Sequence, residues 1–408
     1  MKVLIINSVC GTGSTGRICT GIADMLKAHG HEAYIAYGLG HSSYKGSFCI
    51  SEGKIDYYIH NILSRLTDSE GLHSTKSTKR LLQKIETLKP DIVHLHTLHG
   101  HYLNYKLLLT YLRSKDIPVV MTLHDCWAFT GHCAHFMMSG CDKWKYGCQK
   151  CSFLNEYPQS WLIDNTRNNY YLKKKLLIDF GEKLYIVPVS YWLEGLVKQS
   201  FLKDIKIETI HNGIDLNVFK PTYNNQLFSE YTISGKKIVL GVASPWSAYK
   251  GFKDFVKMRS LLPEKYVIIM VGVSSEQMKE IPNGIIGIER TDSPQKLAEL
   301  YTLANVFVNT TYCDNYPTVN LEAIACGTPV ITYRTGGSPE SIDIHTGDVI
   351  EQGDMNGLVE SVIRISNNSQ TYKAACTDKA MKLFDNKKCF EKYLTIYKKI
   401  LHKDDYVF

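Results

Sequence analysis

Hydrophobic and polar positions alternate in blocks along this chain. Residues 2–7 form a nearly continuous apolar run, the pattern of a parallel strand buried on both faces. Gly11-Thr-Gly13-Ser-Thr-Gly16 follows. Ile18, Ile22 and Leu26 then recur at helical spacing up to His29-Gly30, which predicts a helix closed by a glycine cap. Tyr34–Tyr37, Ile92–His96, Val119–Leu123 and Tyr185–Val189 predict further strands, with helical spacing between them, as from Leu103 to Leu112. Ile207 to Gly213 closes this first series. Residues 214–235 are polar and patternless and read as a linker. The alternation restarts at Lys237–Gly241, Tyr266–Val271, Val306–Asn309 and Val330–Thr332, and the Lys-, Phe- and Tyr-rich tail over 386–408 reads as helix.

Strands alternating with helices imply doubly wound parallel sheets. The expected organisation is a Rossmann-like domain over 1–213 with a cysteine-rich insertion at about 126–160, a linker over 214–235, and a second Rossmann-like domain over 236–385. At 408 residues and 44% hydrophobic the chain can bury two cores, and with 21% charged residues wholesale disorder is not expected. The net charge of +7 is scattered apart from Lys173–Lys175 and the C-terminal lysines, so no nucleic acid partner is expected; an anionic small substrate or a membrane surface accounts for the excess. The first apolar run is too short for a signal peptide, and no run reaches the roughly 18 residues of a membrane span. A cytoplasmic place follows as the expectation. The 12 cysteines then read as reduced thiols that are buried or bind metal.

The candidate chemistry sits where strands end. Gly11, Gly13 and Gly16 let backbone N–H groups approach an anion; the spacing is that of a dinucleotide loop, yet no acid closes the second strand, which speaks against a dehydrogenase. Arg17 reaches a phosphate or is solvated. His124-Asp125 ends the Val119–Leu123 strand, where open α/β sheets bind ligands, and His94, His96 and His99 stand at the mouth of the neighbouring strand, as acceptor-pocket residues or as ordinary strand-end polar groups. Ser244 and Lys250-Gly251 follow the first strand of the second domain. Cys133, Cys141, Cys148 and Cys151 include one pair at the two-residue spacing of half a zinc site; a structural zinc or similar staple is one reading, buried reduced thiols the other. Asp314-Asn-Tyr-Pro-Thr-Val-Asn-Leu-Glu322, then Cys326-Gly327-Thr-Pro-Val and Gly336-Gly337-Ser-Pro-Glu340, predict a loop entering a helix, a strand, and a second loop entering a helix. Helix N-termini of this kind offer unpaired N–H groups to a diphosphate.

This last motif resembles that of the family-4 glycosyltransferases of the GT-B fold, in which two acids flank seven residues. The glycine loop, His124-Asp125, His211-Asn212-Gly213 and Lys250-Gly251 stand in the same order as in that family. The run from His124 through the cysteines looks like the branch that includes colanic-acid and exopolysaccharide enzymes. Two departures are visible: the first acid is Asp314 rather than Glu, and Ala243 stands where the family has Arg. The resemblance implies a GT-B fold, two Rossmann-like doubly wound domains facing across a cleft, with the C-terminal helix crossing back to the first domain. It implies retaining transfer from a UDP- or GDP-sugar to a saccharide or lipid-linked acceptor in surface polysaccharide biosynthesis, with no cofactor required for catalysis and a peripheral place at the inner membrane. His124, Asp314 and Glu322 would be the catalytic residues. Gly13, Gly16, Ser244, Lys250, Thr318, Val319, Glu322 and Glu340 would hold the donor, Glu322 at its ribose. A nucleotide-sugar epimerase, or an inactive binding protein on the same fold, is the alternative.

Overall fold

A computed structural model describes residues 1–401 except 52, 225 and 232. The chain divides into two units, one formed by Met1–His211 with the chain from Phe390 onward, the other by Asn212–Cys389.

The first unit is built on seven strands: β1 (Lys2–Asn7), β2 (Glu32–Tyr37), β3 (Ser47–Cys49), β4 (Ile92–Leu95), β5 (Val119–Leu123), β6 (Leu184–Pro188) and β7 (Lys206–Ile207). They form one parallel sheet in the order β3-β2-β1-β4-β5-β6-β7. Val3 to Ile6, Ile92, Val93, Val119 and Val120 have no exposed surface, the condition of strands covered by helices on both faces. The strand order reverses between β1 and β4, so the loops leaving these two strands diverge and leave a crevice at their carboxyl ends. The glycine loop leaves β1 and the histidine-rich loop leaves β4.

The C-terminal helix Asn386–Ile400 contributes its later turns to this unit. Tyr393 Oη meets Thr122 Oγ1 at 2.9 Å, Tyr397 Oη meets His94 Nδ1 at 2.7 Å, and His94 Nε2 meets Thr122 Oγ1 at 2.8 Å. A Cβ on Gly21 would lie 2.5 Å from the Phe390 ring, so the first helix, Gly13–Ala28, stays bare there to admit it. Residues 402–408 of the expected helical tail lie outside the described residues.

The second unit holds β8 (Lys237–Val242), β9 (Tyr266–Val271), β10 (Ile285–Ile288), β11 (Val306–Asn309), β12 (Val330–Tyr333) and β13 (Gly347–Ile350). All run parallel in the order β10-β9-β8-β11-β12-β13, and the reversal falls between β8 and β11. Residues 214–235, read from the sequence as linker, carry packing of their own in this unit. Phe219, Leu227 and Ile233 are buried, Phe219 lies edge-on to Tyr301, and Ile214 bonds to the chain at Phe384 and Asn386. Apolar residues this widely spaced show no period, which is why the segment looked patternless.

The described tyrosine contacts yield a prediction. Tyr397→Phe leaves a fully buried imidazole nitrogen of His94 without its partner, a loss worth about 1–3 kcal/mol. Urea unfolding should show that drop in stability; an unchanged midpoint would mean the hydroxyl contributes nothing.

Candidate functional site

The second unit assembles a polar platform at the carboxyl ends of β8, β11 and β12. Lys250 closes a short turn, Ala248–Lys250, after β8, and its ammonium donates to Asp314 Oδ2 at 2.7 Å. Asp314 arrives on the loop after β11. The two residues therefore stand on either side of the strand-order reversal, where doubly wound sheets take their ligands. Gly251 has φ +73°, and a Cβ there would lie 2.5 Å from the Thr310 carbonyl oxygen, so only glycine lets the Lys250 turn close against the β11 loop.

The helix Thr318–Ala325 starts behind Pro317 with no side-chain cap. Thr318 and Val319 are half-buried at its first turn, and their N–H groups belong to the set that no intrahelical carbonyl can satisfy. Glu322 lies one turn in, 3% exposed, and accepts from Tyr301 Oη at 3.1 Å. Glu340, half-buried, lies in the turn Ser338–Ser341. That turn is a single 3₁₀ turn, where the sequence pattern led us to expect a helix. Ser244 is exposed beside the buried Ala243 that replaces the expected Arg, and Arg334 pairs with Glu351 at 2.5 Å.

Beneath the platform runs a buried polar network centred on Asn320. Its amide oxygen accepts from Asn309 Nδ2 at 2.9 Å, and its amide nitrogen donates to Ser338 Oγ at 3.0 Å and Ser341 Oγ at 3.2 Å. Ser338 Oγ meets Thr332 Oγ1 at 2.7 Å, and Asn309 Oδ1 accepts from the Thr311 N–H at 3.2 Å. One side chain thus ties the helix start, the β11 loop and the turn carrying Glu340 into one body. The sequence reading passed over Asn320; its place two residues before Glu322, on the buried face of a short helix, was the available signal.

In the first unit, Gly13 and Gly16 open the helix Gly13–Ala28. Gly13 has φ +63° and open space around it. A Cβ on Gly16 would stand 3.1 Å from the Gly11 nitrogen, and Gly11 N–H in turn donates to the Gly16 carbonyl at 3.1 Å. The loop is held by its own backbone. His124 stacks on His96, with Nε2 2.9 Å from His96 Nδ1, and burial pushes its imidazolium down to about 4. His96 and His94 are pushed down by burial as well, His94 to about 3. These imidazoles are neutral near pH 7 and act as hydrogen-bonding groups. His99 bridges Asp125 Oδ2 at 2.7 Å and Tyr157 Oη at 2.8 Å. Burial would raise the Asp125 carboxyl, but the charge and hydrogen bond of His99 outweigh it and hold it well below the usual range. His124, Asp125, His96 and His99 line one small cavity with Trp127.

Two further groups escaped the sequence reading because their members are far apart in the chain. Glu70 Oε1 accepts the N–H groups of Gly100 and His101, and Oε2 lies 2.5 Å from His101 Nδ1. His60 stands within ligating reach of both residues. Its Nε2 accepts from the Gly71 N–H at 3.2 Å while Nδ1 bonds Ser74 Oγ at 2.8 Å, so its lone pair is already committed. This is a structural network. Lys173, fully buried, donates to the carbonyls of Trp127 and Thr130 at 2.7 and 3.1 Å and stands 3.5 Å from the Trp127 ring centre.

Cys133, Cys141, Cys148 and Cys151 line a second cavity, with Thr130, Phe136, Trp144 and Phe153. All four are free thiols, and no three of their sulfurs lie within 4.8 Å of one another.

Comparisons with known proteins match this architecture. The model of Glycosyltransferase Family 4 matches residues 15–218, and that of Glycosyl transferases group 1 matches residues 224–382. The colanic acid biosynthesis glycosyl transferase WcaC of Escherichia coli (strain K12) is 27% identical over 292 residues, 67% of either chain. An N-acetyl-alpha-D-glucosaminyl L-malate synthase of Bacillus anthracis is 26% identical over 246 residues, 56% of this chain and 63% of that one. Among solved structures, sucrose-phosphate synthase from Thermosynechococcus elongatus superposes with a TM-score of 0.73 at 15% identity, covering 99% of this chain and 100% of that one. Anabaena HepE in complex with UDP-glucose superposes at 0.67, also at 15% identity, covering 97% and 99%.

Two predictions follow from this geometry. Asn320→Ala strands the amide nitrogen of Asn309, while Ser338 and Ser341 keep Thr332 Oγ1 and the Ser338 carbonyl as partners, and should cost about 1–3 kcal/mol for the one group left unsatisfied. A urea midpoint equal to that of the unaltered protein would show the network is not holding these loops. Glu70 is held below the 4.5 of an ordinary glutamate: burial works the other way, and His101 overrides it. The unfolded chain therefore takes up this proton first, so stability contributed above about pH 4.5 is lost as pH falls. Glu70→Gln should flatten that acid limb, as read by chemical unfolding between pH 3 and 7 (~1 pH unit steps suffice).

Proposed function

The chain belongs to Glycosyltransferase Family 4 and is a glycosyltransferase of the GT-B type; from that membership we propose that it moves a sugar, with retention at the anomeric carbon, from a UDP- or GDP-sugar to a lipid-linked saccharide in the assembly of a surface polysaccharide. The observation that carries the donor assignment is the convergence of Lys250, Asp314, the start of the helix Thr318–Ala325 and the Glu340 turn on one sheet end of the second unit. HepE, similar in fold, has been solved with UDP and with UDP-glucose, and WcaC is described by its part in colanic acid biosynthesis. These relatives support the donor and acceptor classes.

On this reading the leaving group is a nucleoside diphosphate. The amides of Thr318 and Val319 take its phosphates, and Lys250 shifts from Asp314 to the charge that develops as the glycosidic bond breaks. Asp314 and Glu340 hold sugar hydroxyls or groups beside the diphosphate. Glu322 takes the ribose diol in place of, or beside, the Tyr301 hydroxyl. Gly13 and Gly16 keep the first-unit loop bare for close approach, Ser244 replaces part of the polar surface that an Arg at Ala243 would provide, and His124, neutral, offers a hydrogen bond to the donor sugar. The acceptor hydroxyl attacks from the side the diphosphate leaves and passes its proton to the departing phosphate oxygen. No cofactor enters this scheme. A lipid-linked acceptor would bring the protein to the inner membrane surface; no helix among the described residues is long and apolar enough to cross a membrane.

The test is turnover of a panel of UDP- and GDP-sugars with membrane-extracted acceptor, product anomer read by NMR. Acceptor-stimulated nucleotide release with the donor's anomeric configuration kept is expected. Glu322→Ala should raise the donor KM by roughly 10–100-fold, the worth of a hydrogen bond to a charged group. Turnover by Glu322→Ala equal to wild type would sink the donor-site assignment. Donor isomerised without acceptor would make the protein an epimerase.

A further inference from the structure

The segment between β5 and the helix Thr166–Ile178 is long and almost without regular structure: among its described residues only three 3₁₀ turns occur, at Trp127–Phe129, Met137–Ser139 and Lys143–Lys145. Such a segment has few backbone hydrogen bonds of its own and a small apolar nucleus, here Trp144 with Phe129 and Phe136 at ring distances of 5.5 and 5.1 Å. From outside, Lys173 bonds the Trp127 and Thr130 carbonyls and Asp68 pairs with His132.

Four thiols from three stretches of this segment face one cavity. Cys133 and Cys151 share a hydrogen bond, and Cys148 and Cys141 complete the lining. Two backbone N–H groups are aimed at sulfur: Gly131 donates to Cys148 Sγ at 3.1 Å and Phe153 to Cys151 Sγ at 3.4 Å. The first of these contacts depends on glycine. A Cβ on Gly131 would lie 2.6 Å from Cys148 Cβ and 2.3 Å from the Thr166 carbonyl, so any other residue would push that amide off the sulfur. The remaining lining is mixed: Thr130, Phe136, Trp144 and Phe153 flank the thiols, Lys143 is held by the Gln149 and Lys150 carbonyls, and His132 is committed to Asp68 at 2.5 Å.

We propose that Cys133, Cys141, Cys148 and Cys151 form a tetrathiolate site for a structural zinc ion that holds this segment against the first unit. Four sulfur ligands suit zinc's preference for tetrahedral soft donors, and a closed set of four leaves no open position for chemistry. Binding draws the sulfurs together, releases the thiol protons, and takes up the Cys133–Cys151 hydrogen bond in metal–sulfur bonds. The consequence reaches the candidate acceptor pocket. Tyr157, which bonds His99, and Trp127, which lines the same cavity as His124, both sit on the stapled segment.

The experiment is metal analysis of the full-length protein purified without chelator. A single zinc ion per chain is expected, released in step with titration of cysteines by an organomercurial, as followed with a zinc indicator dye. Protein prepared with Co²⁺ should show the thiolate-to-cobalt charge transfer and intense visible bands of tetrahedral sulfur coordination. That spectrum needs no variant, so it stands even if cysteine variants fold poorly. Cys148→Ser should lose the metal, Cys148→His should keep it, and Cys49→Ser, at an exposed thiol elsewhere, should be unaffected. Metal-free protein whose cysteines all react as free thiols would overturn the proposal. So would disulfides among the four found by mass spectrometry, or zinc that persists in Cys148→Ser.

Discussion

The second unit depends on one buried amide. A parallel sheet delivers its loops to a common edge, but the loops themselves have no ladder to hold them. Asn320 supplies the missing constraint by bonding Asn309 below it and Ser338 and Ser341 beside it. A network of this kind is stable only when every member is satisfied, and its rigidity then passes to what rests on it. Resting on it are the amides of Thr318 and Val319, the Asp314 loop and the turn bearing Glu340. An anion-binding surface gains from such fixed dipoles because they need not reorganise when charge develops.

The first unit uses a different device. Its strand ends carry imidazoles rather than permanent charges, and burial keeps His94, His96 and His124 neutral. Neutral rings can donate and accept, which suits a surface recognising hydroxyls. Beside them Asp125, half-buried, is compensated by His99. Lys250 and Asp314 in the second unit form the opposite kind of pair, half-exposed and exchangeable, in which the lysine can leave for a better anion.

The interior of both sheets was legible in the sequence, and their edges were not. The nine strands predicted from apolar runs match β1, β2, β4, β5, β6, β8, β9, β11 and β12. The four missed, β3, β7, β10 and β13, are the outermost strands of the two sheets. An edge strand is short and only partly covered, as at Lys206–Ile207 or Gly347–Ile350, so it need not be apolar and leaves little pattern. The acidic motif with Lys250 was legible because its residues are contiguous or follow strands directly. Asn320, Glu70 with His60 and His101, and Lys173 were not, since hydrogen bonds closing across 11 to more than 40 residues have no local signature. The Glu340 turn was misread as a helix start for a related reason. Gly-Gly-Ser-Pro is a fair helix entry, yet the chain turns at Ile342 toward β13 before a second turn can form.

The central claim is that the second unit receives a nucleoside diphosphate at this edge. Crystals soaked separately with UDP and GDP test it most directly. Difference density for the two phosphates over the Thr318 and Val319 amides, with the ribose at Glu322 and Lys250 turned away from Asp314, is the result the account predicts. A nucleotide seated elsewhere, with the Lys250–Asp314 pair and the Tyr301–Glu322 bond unchanged, would contradict it.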